Sequence, residues 1–170
     1  PFVTRPNETV FDREKYKLPS AIAAVDGVYQ FRKGNPDKKP YHGTVIIQGS
    51  AVANDFVPYV LPRLDDSDYN INIYYVSSAE LFLLLPEDRQ KAIMPEERRY
   101  EAMGITDFTM PTMYYWIISD FGRKHSLSAY SRGIYPGSGK AEKVLEEVGL
   151  NGPNQWMAIQ KYVRDRESKG

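Results

Sequence analysis

The chain has 170 residues, 22 lysines and arginines balanced by 22 aspartates and glutamates, and no cysteine. That length buries a core within one domain, residues 1 to 170, and zero net charge supplies no basic field to gather nucleic acid or anionic lipid. The missing cysteines exclude disulfide scaffolds, thiol nucleophiles and cysteine-type zinc sites and suit a reducing, cytoplasmic compartment, while no apolar run approaches the roughly 18 residues of a membrane span. The first residues lack the form of a signal peptide, and a chain that opens on Pro1 is expected to be a piece of a longer protein.

In chain order, "FVTR" (Phe2 to Arg5) predicts a short strand and the charged, proline-bearing segment after it a connection. "GVYQFRK" (Gly27 to Lys33) alternates as a strand does, Val28 excepted. "TVIIQG" (Thr44 to Gly49) and "INIYYV" (Ile71 to Val76) are β-branched runs of the kind buried on both faces of a sheet. Between them Val52, Phe56, Val57, Val60 and Leu64 share one side of a helix, which Pro58 should kink or shorten. Strand, helix and strand of this length make a βαβ unit, and hence parallel strands.

Pro86-Glu87-Asp88 and Pro95-Glu96-Glu97 predict two short helices with favourable acids in their first turns. "ITDFTM" (Ile105 to Met110) then reads as a strand, "PTMYYWIIS" (Pro111 to Ser119) as a mostly buried helix and "KHSLSAYS" (Lys124 to Ser131) as a last strand. Pro153 opens a final helix with Trp156, Ile159 and Val163 facing inward. The expected architecture is α/β: three layers, with an open, mostly parallel mixed sheet between helices.

The segment "YPGSGKAEKVLEEVGL" (Tyr135 to Leu150) places glycines, a serine and a lysine ahead of a helix whose apolar residues are Ala141, Val144, Leu145 and Val148. Gly149 suits a left-handed C-terminal cap and Ser138 or Gly139 an N-cap. The Walker pattern fails, because five residues, not four, separate Gly133 from Gly139-Lys140, and Ala141 stands where the magnesium-binding hydroxyl belongs. A capped helix start is the plainer reading, and Gly137, Ser138, Gly139 and Lys140 remain the candidate anion site.

Other candidates are weaker. His42 and His125, the only histidines, lack a carboxylate at motif spacing and read as surface or core residues. "DDSD" (Asp65 to Asp68) lacks the glycine and terminal glutamate of a calcium loop and reads as a solvated turn. Tyr114, Tyr115 and Trp116 read as core or subunit interface, and "EERR" (Glu96 to Arg99) as surface ion pairing. No catalytic or metal-ligating constellation emerges.

Four motifs in order carry a resemblance: Gly49-Ser50 ending one strand, Val76-Ser77 ending the next, Glu80-Leu81-Phe82 with Met94-Pro95, and Gly137-Ser138-Gly139 ahead of a helix ending in Val148-Gly149-Leu150. From about Phe2 to Val163 the chain resembles the C-terminal domain of transketolase-type, thiamine-diphosphate-dependent enzymes. Two branches compete. Thr4-Arg5-Pro6 is similar to a segment of transketolase whose arginine helps hold the substrate's phosphate, which would make Arg5 a substrate-binding residue, although the neighbouring serine and glutamine of that segment are not matched. Asn7-Glu8 and Gly27-Val28-Tyr29, with the loop from Lys33 to Gly43, resemble the homodimeric E1 component of pyruvate dehydrogenase.

The resemblance implies that thiamine diphosphate and magnesium belong to other domains of the intact enzyme, in keeping with the absence of any Gly-Asp-Gly here. This domain alone would bind no cofactor and transfer no ketol unit. Its partners would be the enzyme's upstream domains or subunits, within a homodimer, where it would support the dimer and close one side of the substrate channel. The competing class is a free-standing module of the same fold that binds a small anion or another protein.

Overall fold

The computed structural model describes residues 9 to 168. The expected strand Phe2 to Arg5, and Arg5 itself, lie outside the described residues. After a 3-10 turn (Ala21–Asp26), the elements are β1 (Val28–Arg32), β2 (Gly43–Gln48), α1 (Ser50–Asp55), a π-helical turn (Phe56–Val60), α2 (Leu61–Asp65) and β3 (Ile71–Val76). There follow α3 (Ala79–Leu83), α4 (Glu87–Ile93), α5 (Glu96–Tyr100), β4 (Ala102–Thr106), a second 3-10 turn (Met110–Met113), α6 (Asp120–His125), β5 (Leu127–Ser128), α7 (Ala141–Val148) and α8 (Gly152–Glu167).

The sheet order is β1-β3-β2-β4-β5, with β1 antiparallel on β3 and every other pairing parallel. The βαβ unit is therefore as expected: β2 and β3 are parallel neighbours joined by a helical run. Alternation along the strands divides the core. Val45 and Ile47 of β2, with Ile71, Ile73, Met103 and Ile105, pack under the helical run from α1 to α2, α7 and α8. Ile46, Tyr74, Val76 and Ala102 face Phe82, Met94, Met113, Trp116 and Ile117 on the other side. Both faces of the central strands are thus covered, which is why those strands read as unbroken apolar runs. The result is the expected three-layer α/β/α arrangement with an open, mostly parallel sheet.

The α-helix is shortened ahead of Pro58, as expected: α1 ends at Asp55 and gives way to the π-helical turn Phe56–Val60. The run continues through the π-turn, where the Leu61 N–H reaches back five residues to the Phe56 carbonyl. A proline supplies no N–H and crowds the carbonyl four residues earlier, and the wider turn relieves both. The two proline-led helices are α4 and α5, with the expected acids in their first turns.

Three sequence expectations need correction. The strand expected from Ile105 to Met110 is β4, which starts at Ala102 and ends at Thr106, because Asp107 turns out of the sheet to serve a helix end. The helix expected over Pro111 to Ser119 is a 3-10 turn followed by further turns. Met113, Trp116 and Ile117 are buried at helical spacing, yet the Tyr115 carbonyl accepts from Arg99 Nε (2.7 Å) and the Ile117 carbonyl from Arg123 Nε (3.0 Å), so arginines take the acceptors a longer helix would use. The last strand is only Leu127–Ser128. Lys124 and His125 belong to α6, and the chain turns at once, with the Ser131 N–H on the Ser128 carbonyl (3.1 Å).

Candidate functional site

The glycine-serine-lysine loop is open to solvent. Nothing lies within 4 Å of a Cβ built on Gly137, and only Val144 approaches one on Gly139. The N-cap of α7 is Lys140, in an extended conformation with no side-chain cap, rather than Ser138 or Gly139. Ser138 is exposed, at a bend two residues ahead of that N-cap. The other end is as expected: Gly149 is left-handed (φ 77°), and its N–H bonds the Glu146 carbonyl at 3.1 Å.

Open α/β sheets bind ligands outside the carboxyl ends of their strands. Here that edge holds a cleft of about 440 Å³ lined by Gln48, Gly49, Ser50, Ser78, Glu80 and Phe108 among others. Two helix starts face it, and the protein's own carboxylates serve both. Asp107, leaving β4, accepts the Ala51 N–H on Oδ2 at 2.9 Å, in the first turn of α1. Gly49 makes the approach possible, since its φ of 102° is costly for other residues and a Cβ would collide with the Asp107 carboxylate. At α3, Ser78 caps the Leu81 N–H (3.2 Å) and donates to Glu80 Oε2 (3.0 Å). The backbone N–H of Glu80 and the Ser78 hydroxyl hold the Glu80 carboxyl below the usual range. A phosphate arriving at either helix start would meet a negative charge where phosphate-binding helix starts offer bare N–H groups.

The amino ends of the strands carry a buried network centred on Glu101, which stands between α5 and β4. One carboxylate oxygen, Oε1, takes the Tyr41 hydroxyl, Arg98 Nη1 and the Thr44 hydroxyl (2.9 Å), and Oε2 takes Arg166 Nη2 at 3.3 Å. The Tyr41 oxygen also accepts from Asn72 Nδ2 and Arg98 Nη1, each at 2.6 Å. The Tyr162 hydroxyl donates to the Glu101 carbonyl and receives the Thr44 N–H (3.3 Å). Burial, with the Glu101 hydrogen bond adding, pushes the Tyr41 phenol well above its ordinary range, and burial pushes Tyr162 up to about 12. Both tyrosines therefore remain neutral donors.

The two histidines are buried, and α8 brings each the carboxylate that sequence spacing withheld. His42 accepts the Asn70 N–H on Nδ1 (2.8 Å), so Nε2–H faces Glu167 at 3.1 Å. His125 meets the Phe121 carbonyl at Nδ1 (2.8 Å) and Asp165 at Nε2 (2.9 Å). Neither lies in an acid-base pair with a nucleophile; they fasten the C-terminal helix. Arg98 and Arg99 also do more than pair on a surface: Arg98 enters the network, and Arg99 lies 4.3 Å from the Tyr115 ring. Asp65, the last residue of α2, is paired with Arg32 at 2.7 Å, and the expected turn begins only at Asp66. Among the described residues no group of three or more histidines, aspartates or glutamates is placed to hold a metal ion.

Sequence reasoning missed the Glu101 network, whose members lie on a loop, two strands, a short helix and the last helix. One signal was present. Asn72 interrupts the apolar run "INIYYV", and a polar residue in a strand covered on both faces needs buried partners.

No protein-family model matches the chain, and no curated protein matches it. Solved structures do share its fold. Transketolase from Campylobacter jejuni superposes with a TM-score of 0.57 at 17% identity, covering 81% of this chain and 19% of its own. Transketolase from Leishmania mexicana gives 0.60 at 12% identity over 86% and 19%. Transketolase from Pichia stipitis in complex with sedoheptulose-7-phosphate gives 0.59 at 14% identity over 88% and 20%. The chain thus spans about a fifth of the length of these enzymes.

Proposed function

We propose that this chain is the C-terminal domain of a transketolase-like, thiamine-diphosphate-dependent enzyme that, when intact, moves a ketol unit between sugar phosphates. One observation carries the reading: a fold shared with transketolases over 81 to 88% of this chain and about a fifth of theirs. In the intact enzyme the domain supports the dimer and forms one side of the substrate channel. Arg5 binds the substrate's phosphate there, and the loop Gly137, Ser138, Gly139 and Lys140 lends a second anion contact.

The residues present do not fit thiamine diphosphate and its magnesium. Both helix starts at the carboxyl edge are served by carboxylates, and the described residues assemble no metal-ligand group. This reading assigns the cofactor to the other domains of the intact enzyme and no ketol transfer to the isolated chain.

The test is the native mass and activity of the source protein. A chain several times longer that transfers ketol units between sugar phosphates, and loses the activity when these 170 residues are removed, is the expected result. Pyruvate decarboxylation in place of ketol transfer would move the chain to the pyruvate dehydrogenase branch. A native mass near that of this chain with no partner subunit, or thiamine diphosphate binding by the chain alone in calorimetry, would overturn the proposal.

A further inference from the structure

The amino edge of the sheet holds a cavity of about 730 Å³, within the range of small-ligand pockets. Tyr41 and Arg166 connect it to the Glu101 network, Lys39 and Glu167 stand at its sides, and Tyr100 and Phe121 supply apolar walls. Arg98 and Arg166 share a single carboxylate, so that trio keeps one positive charge. Lys39 adds another and makes no ion pair among the described residues. Glu167 subtracts one while taking the His42 Nε2–H at 3.1 Å. Three cations against two carboxylates leave the cavity one positive charge in excess. The guanidinium groups of Arg98 and Arg166 lie 5.3 and 6.0 Å from the Tyr41 ring centre, and together with the Glu101 contacts this fixes their placement.

A preformed cation beside aromatic walls selects for two properties at once. An oxyanion answers the charge and meets the arginine's planar donors. A flat apolar body answers the rings, whose contact with water is otherwise uncompensated. We infer that this cavity binds a small oxyanion borne on a flat ring, a ligand class distinct from the sugar phosphates of the reading above. The site lies at the sheet edge opposite the customary one, and it stands whether or not that reading holds.

The experiment is an NMR titration of the 170-residue chain with phenyl phosphate, inorganic phosphate and benzyl alcohol. Phenyl phosphate is expected to shift the amides of Lys39, Tyr41, Tyr100 and Arg166 saturably, about tenfold more tightly than inorganic phosphate, with benzyl alcohol leaving them unmoved. Arg166→Gln removes a side chain of the network. Lys39→Ala changes only an exposed one, so it reports on binding in an intact fold. Each is expected to weaken phenyl phosphate about fivefold. No shift up to about 10 mM, a ligand far weaker than any selective pocket holds, would overturn the inference. So would equal affinity for phenyl and inorganic phosphate, or undiminished binding by Lys39→Ala.

Discussion

The two edges of the sheet solve the same electrostatic problem in opposite ways. At the carboxyl edge, Asp107 and Glu80 meet the positive helix starts, and little is left for an outside anion. At the amino edge, one carboxylate, Glu101, is shared by two arginines, two hydroxyls and a cavity rim, and a positive charge remains. The fold's customary binding edge has been turned into structure, while the edge that usually serves stability keeps an open, charged cavity. Binding capacity therefore follows uncompensated charge and not topology alone.

The sharpest way to break this contrast is to remove the shared carboxylate. Glu101→Gln strands two partly buried guanidinium groups on an amide, and a loss of about 3 kcal/mol is expected in urea unfolding at neutral pH. A loss below about 1 kcal/mol would show that solvent already screens the amino edge and that its charge is not held in place.

The buried tyrosines sharpen the same point by titration. Tyr162, neutral in the fold and raised to about 12, has a folded pKa above its unfolded value near 10. Its contribution is therefore complete below about pH 10 and is lost as pH climbs toward 12, amounting to about 2 to 3 kcal/mol. Tyr162→Phe should flatten that alkaline limb while lowering stability at pH 7. An unchanged limb would mean that other groups govern alkaline unfolding.

The carboxyl edge should yield less. Asp107→Ala removes the carboxylate from the start of α1, and about 1 kcal/mol is expected by thermal or urea unfolding, with Asp107→Asn retaining most of it. Inorganic phosphate should protect Asp107→Ala against heat more than the parent chain, because the helix start then lies bare. Equal protection would show that the carboxylate is not what closes this edge.

How far the sequence revealed these edges depends on the distance over which their signals act. β2, β3 and the helix closed by Gly149 were legible, because burial on two faces or on one stripe writes itself into neighbouring residues. The capping acids at α4 and α5 were legible for the same local reason. Asp107 was read as part of a strand because its partner, the Ala51 N–H, lies 56 positions away. The Glu101 network was out of reach: Arg166 and Glu101 are 65 positions apart, and no periodicity links them. Met113, Trp116 and Ile117 misled in the opposite sense, since their apolar spacing fits a helix, yet arginines have claimed the carbonyls of Tyr115 and Ile117.

The smallest effect lies where α8 packs on α6 beside the amino edge, and its pH dependence runs opposite to that of Tyr162. Asp165 is exposed enough that water screens it, yet the His125 hydrogen bond, and after it that of Lys161 (2.9 Å), bring its carboxyl down to about 2. A depressed folded pKa contributes stability that is present above the unfolded value near 4 and is lost as pH falls toward 2. Asp165→Asn should therefore lower the melting temperature slightly at pH 6 and match the parent chain at pH near 2, the reverse of the alkaline behaviour of Tyr162. A variant that differs from the parent equally at both pH values would show that the side chain packs α8 without its charge. The ion pair would then be dispensable, and the work of holding α8 to the sheet would fall to Tyr162 and to the apolar residues Ile159 and Val163 beneath it.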